Sequence, residues 1–131
     1  IASCLVGSEM CIRDSISVAF GAYAEHGLRG VVTEENFRFL MTAVRYNQVH
    51  SVVVTVIGLT LVWERTPIDI PALRWSAILF VIGTMLFSFS IYLAVTFDIP
   101  NLLNVTPVGG VTIMLAWLLL LLAGILARKN L

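Results

Sequence analysis

WSAILFVIGTMLFSFSIYLAVTF, residues 75–97, decides the fold: it is a run of 23 residues without a formal charge, bounded by Arg74 and Asp98. As a helix rising about 1.5 Å per residue, it is long enough to cross the roughly 30 Å hydrocarbon core of a bilayer. Trp75 stands at its edge, where an interfacial indole anchors a membrane helix. In lipid the backbone must satisfy its own hydrogen bonds, which leaves helices or a closed barrel. The run shows none of the period-two alternation that a barrel strand requires.

Two more runs repeat the pattern. Tyr46–Trp63 is uncharged over 18 residues. Its VHSVVVTVIGLTLVW is β-branched enough for a strand in water, but its length reads as a membrane helix. Ile99–Ala127 is uncharged over 29 residues, and Arg128 and Lys129 close it. Pro100 and Pro107 place the start of that helix near Pro107, where a first-turn proline costs no hydrogen bond. The polar connector ERTPIDIPALR, with Pro67 and Pro71 as breakers, separates the second and third spans.

Composition agrees. Of 131 residues, 59% are hydrophobic and 12% charged, with a mean hydropathy of +0.96, whereas soluble domains carry roughly a quarter charged residues. The formal net charge is zero and the eight basic residues are scattered, which argues against nucleic acid as a partner. The bilayer, a second copy or other membrane proteins are the expected partners. Cys4 and Cys11 form no Cys-x-x-Cys pair, so neither a disulfide framework nor a thiolate metal site is expected.

The opening IASCLVGSEMCIRDS carries Glu9, Arg13 and Asp14 where a first span should be apolar. Residues 1–15 read as a non-native, adaptor-like segment, with the first span truncated or extending N-terminally. A signal peptide fits poorly, because the positive charge follows the apolar residues. Between the first two spans, GVVTEENFRFLMTAVRY (residues 30–46) reads as a short amphipathic helix. Thr33 is its cap, Glu34 and Glu35 complement its dipole, and Phe37, Leu40, Met41 and Val44 share a face. It is expected to lie on the membrane surface or to run directly into span two.

The expected fold is therefore an all-α membrane protein: one domain over 16–131 with about four transmembrane helices in an up-and-down bundle. The spans fall near 16–24, 44–63, 75–97 and 107–127, with the amphipathic helix between the first two. Arg65, Arg74, Arg128 and Lys129 against Arg29, Arg38 and Arg45 place the central loop and C-terminus on the cytoplasmic side. Helices in lipid associate through small residues and a few polar contacts. Ser76, Gly83 and Ser90, joined by Ala94, and Gly109, Thr112, Ala116, Ala123 and Ala127 form two such stripes, with Gly110 beside the second. Both faces are expected to be buried against neighbours, and Gly83→Leu to disrupt assembly.

GAYAEHGL, TAVRYNQVHS, LFSFSIYLA and VTPVGGVTIMLAW stand in an order and spacing that resembles the YgdD-like small membrane proteins. That family is catalogued as domain of unknown function 423 and is similar to transmembrane protein 256. The resemblance covers roughly residues 16–127. It implies a small four-span protein of the bacterial inner membrane and brings no established activity. The family's pattern falls on Gly21, Ala22, Tyr23 and His26, on Tyr46 and His50, and on Thr106, Pro107, Gly109 and Gly110. Phe89 and Ala116 replace smaller residues of the pattern, and Ala24 and Glu25 replace its Gly-Ala pair, so packing there is expected to be looser or reshaped.

Up-and-down topology would bring His26, Tyr46, Asn47, His50, Tyr92, Thr96 and Thr106 to similar depth, with Tyr46 and His50 on one helix face. Imidazoles there could take a metal, a quinone head group or a proton. Two histidines without a third ligand fall short of a zinc site, and tyrosine and histidine settle naturally at interfaces. An interhelical hydrogen-bond cluster is the stronger reading, and no cofactor, metal or catalytic residue is assigned. The expected function is that of a non-enzymatic structural or complex-associated membrane subunit. The alternatives are a small oligomeric transporter or ion pathway, or a cofactor-binding subunit using His26 and His50. The uncharged runs lack the Asp, Glu, Lys or Arg that usually mark a pathway.

Overall fold

The computed structural model describes residues 2–62 and 71–129. Helix α1 spans Ala2–Tyr23 and widens into a π-helical turn, Ala24–Leu28. Helix α2 spans Glu34–Val62, α3 Pro71–Thr96 and α4 Thr106–Lys129, with a 3-10 turn at Pro100–Asn104 before α4. Trp63 and most of the expected connector lie outside the described residues. Arg74, expected just before the third span, is inside α3.

The amphipathic segment is not a separate helix. It forms the first turns of α2, which begins ten residues before the expected start of span two. Thr33 Oγ1 caps the helix by accepting the Asn36 N–H at 3.2 Å, and Glu34 and Glu35 occupy the positive first turn. Nothing breaks the helix after that. Leu40, Ala43 and Val44 are buried against α1 and α3, with Phe37 and Met41 half-buried, so this face is turned to the protein. Phe37 packs under the Arg29 guanidinium, 5.7 Å from the ring centre, and Arg29 also pairs with Glu25.

The chain reverses between α3 and α4 at Asp98, which adopts φ 53°, a left-handed conformation that Asp tolerates better than most residues. The Ile99 N–H reaches back to the Ala94 carbonyl at 2.9 Å and closes α3. Pro107 then falls in the first turn of α4, where its missing N–H leaves no partner unsatisfied.

Consecutive helices pack antiparallel. Gly21 of α1 sits against Val44, Ser88 of α3 donates to the Ala43 carbonyl of α2 at 3.0 Å, and Ser76 donates to the Ala116 carbonyl of α4 at 2.8 Å. Among the described residues helices α1 and α4 do not touch, and α2 and α3 lie between them. One apolar core joins α2, α3 and α4 around Val54, Phe80, Ile113 and Ala116. A second joins α1, α2 and α3 around Ala24, Leu40, Ile91 and Tyr92.

The α3–α4 contact is the most extensive, and glycine makes it so. A Cβ on Gly109 would lie 2.5 Å from the Phe87 nitrogen and 2.9 Å from the Gly83 carbonyl oxygen; one on Gly83 would lie 2.9 Å from the Ile113 nitrogen. Backbone meets backbone there, as small residues permit in a membrane. Ser76 on Ala116 lies on one side of the crossing, and Ser90 Oγ on Thr106 Oγ1 at 2.8 Å lies on the other. Ala123 is buried in the same seam, whereas Gly110 is only half-buried and approaches Phe87 no closer than 4.0 Å. Ala116, expected to loosen the packing, is fully buried.

Among the described residues two segments, Pro71–Thr96 and Pro100–Arg128, are long and apolar enough to cross a membrane. The described part of α2 is not among them, and its apolar sequence holds Asn47, His50 and Ser51. All three are buried in helix contacts and do not face outward.

Candidate functional site

His50 is the best-defined polar group of the interior. It is almost completely buried on α2. Its Nδ1 lies 2.7 Å from the Tyr46 carbonyl oxygen one turn earlier, and the Trp117 indole nitrogen of α4 lies 3.4 Å from its Nε2. A carbonyl only accepts and an indole N–H only donates, so these partners dictate the neutral tautomer with the proton on Nδ1. Both ring nitrogens are thereby engaged. Phe80 at 5.5 Å, Tyr46 at 5.6 Å and Trp117 at 6.2 Å surround the ring, and Trp117 meets Phe80 edge-on at 5.1 Å.

The expected cluster divides into separate contacts. Tyr46 and His50 come together, and the half-exposed Tyr46 ring also stacks on Phe87 at 4.7 Å. Asn47, fully buried, faces Tyr92. Tyr92 itself stacks on Phe20 of α1 at 4.0 Å and meets Phe89 edge-on at 5.9 Å. The Tyr92 hydroxyl is turned toward Asn47 but, like Thr96 Oγ1, it is buried without a well-formed hydrogen bond among the described residues. Thr106 bonds Ser90 in the α3–α4 seam, and His26 is exposed on the π-helical turn.

The common depth expected for these residues does not extend to His26, for a geometric reason. Because α2 starts at Glu34, Tyr46 lies about 18 Å and His50 about 24 Å along it at 1.5 Å per residue. His26 remains at the turn. Among the described residues no three His, Cys, Asp or Glu side chains gather as a metal site would require.

Of the aromatic residues around His50, the sequence points to Tyr46 but not to Phe80 or Trp117. Phe80 and Trp117 look like ordinary membrane-helix residues, and only the register of α2, α3 and α4 brings them to position 50. Ser88, fully buried, likewise carries no local signal of its bond to Ala43.

Residues 20–110 match the family model described as "Protein of unknown function (DUF423)". The chain belongs to this family. A relative, the UPF0382 inner membrane protein YgdD of Escherichia coli K12, is 32% identical over 119 residues, which cover 91% of this chain and 88% of that protein. A UPF0382 membrane protein of Staphylococcus aureus is 30% identical over 108 residues, covering 82% of this chain and 84% of its own length. One from Haemophilus influenzae is 29% identical over 102 residues, covering 77% of each. No solved structure matches the chain. With its apolar helices and this membership, the protein is an integral membrane protein of the DUF423 family.

Proposed function

We propose that all four helices cross the bacterial inner membrane and that the protein is a non-enzymatic structural subunit, assembling with itself or within a larger membrane complex. The use of interior polar groups carries this reading. His50 is held by Tyr46 and Trp117, Ser76 by Ala116, Ser88 by Ala43 and Ser90 by Thr106. These groups fasten helices to one another, as polar side chains do in lipid. The outward side of α4, with Val111, Leu115, Leu118, Leu122 and Ile125 exposed, is suited to lipid or a neighbouring protein.

Two experiments test the two parts. Single cysteines introduced by Val56→Cys and Ile82→Cys into a Cys4→Ser/Cys11→Ser background should resist a membrane-impermeant thiol reagent from both sides. Ready labelling of Val56→Cys would remove α2 as a span. Crosslinking in native membranes, followed by native mass spectrometry, should recover oligomers or a partner. Only monomers, or one bound metal per chain lost in His26→Ala/His50→Ala, would overturn the scaffold reading.

A further inference from the structure

The outward face of α2 changes character along its length. Arg38, Thr42, Arg45, Val49, Val52, Val56 and Leu59 follow one another at alternating spacings of four and three residues, and all are exposed. Such spacing keeps them on one side of a helix. The stripe is therefore basic at one end and apolar along the rest.

Neither guanidinium has a hydrogen bond or ion pair among the described residues. The ion pair there joins Arg29 and Glu25, and Thr42 Oγ1 donates to the Arg38 backbone carbonyl at 2.8 Å, leaving the side chain available. Glu34 and Glu35 stand one turn nearer the aqueous end and do not pair with Arg38. Arg45 heads the charge-free stretch of α2, with the half-exposed Tyr46 beside it. From Val49 to Leu59 the apolar part rises about 15 Å, half of the roughly 30 Å hydrocarbon core and so the depth of one leaflet.

We propose that this stripe is a binding surface for an anionic phospholipid, its phosphate held by Arg38 and Arg45 and its acyl chains lying along Val49, Val52, Val56 and Leu59. Charge complementarity selects the occupant. Guanidinium is a fork-shaped donor that matches phosphate oxygens and cannot lose its charge. A cation this near the apolar border gains more from a fixed anionic partner than from the zwitterionic surface around it. A protein partner would have to present a carboxylate beside an apolar ridge, whereas a phospholipid carries both parts in that order. The inference rests on the proposal that α2 crosses the bilayer. Labelling of Val56→Cys reads that premise separately.

The test is native mass spectrometry of the full chain from mixed micelles containing phosphatidylglycerol and phosphatidylcholine with identical acyl chains. The parent should retain phosphatidylglycerol preferentially, and each of Arg38→Gln and Arg45→Gln should lower that preference about fivefold. Arg45→Lys should keep most of it, as should Arg128→Gln at the opposite end of the bundle. An excess of glycerol 3-phosphate should displace nothing, because it lacks acyl chains. Circular dichroism checks that the variants fold, and if Arg38→Gln does not, Arg45→Gln decides. Equal retention of the two lipids by the parent, an unchanged preference in the arginine variants, an equal loss in Arg128→Gln, or displacement by glycerol 3-phosphate would overturn the proposal.

Discussion

Replacing Gly109 with alanine adds one methyl group, and the structure says where it must go. The new Cβ would stand 2.5 Å from the Phe87 nitrogen, 2.8 Å from its Cα and 2.9 Å from the Gly83 carbonyl oxygen. All three neighbours are backbone, so no side chain can swing aside. To restore ordinary contact α3 and α4 must separate by about 1 Å, and overpacking of this kind costs about 1–3 kcal/mol. Separation also strains the Ser76–Ala116 and Ser90–Thr106 bonds on either side of the crossing, each worth about 0.6 kcal/mol in a membrane interior. Alanine's better helix propensity returns up to about 1 kcal/mol. The net expectation is a loss of about 1–3 kcal/mol, read by reversible SDS titration in bicelles with circular dichroism. Gly124→Ala is the control, since nothing lies within 4 Å of its added Cβ. If Gly109→Ala matches the parent, or if Gly124→Ala loses as much, the close glycine crossing is not what holds α3 to α4.

Three further substitutions probe other contacts. Trp117→Phe removes the donor to His50 Nε2 and should cost about 1 kcal/mol. In nitrogen-15 spectra the parent should show a neutral His50 protonated on Nδ1, and a different tautomer would contradict the geometry. Tyr92→Phe deletes a buried hydroxyl that lacks a well-formed bond, so stability in the same titration should hold or rise by up to about 1 kcal/mol. A clear loss would mean that the approach of Asn47 to Tyr92 is a strong bond. Thr33→Ala removes the cap of α2 and should cost about 1 kcal/mol, with faster amide exchange over residues 34–37. Unchanged exchange there would show that the contact with Asn36 does not hold the helix end.

What could be read in the sequence and what could not divide along a physical line. The long uncharged runs announce helices, because backbone in lipid has little choice, and the family resemblance followed from motifs strung along them. Of the two readings of residues 30–46, the one that runs directly into the next helix is the one observed, although α2 starts ten residues before the expected start of span two. Glu34, Glu35 and Arg38 are good residues for an exposed first turn of a helix, and Leu40, Ala43 and Val44 bury the same helix's other side. Those ten residues of helix are what separate His50, buried in the interior, from His26 at the turn. The small-residue heptads of α3 and α4 are open to inspection, since Ser76, Gly83 and Ser90 recur every seven positions. Their register is not, because it is a property of two helices together. The crossing at Gly83 and Gly109 fixes that register, and the same contact carries Trp117 on α4 to a height where it reaches His50 on α2. The glycine seam and the buried histidine are thus mechanically linked. A substitution that parts α3 from α4 should also free the Trp117 indole, so a change in its fluorescence should accompany the stability loss of Gly109→Ala and be absent in Gly124→Ala.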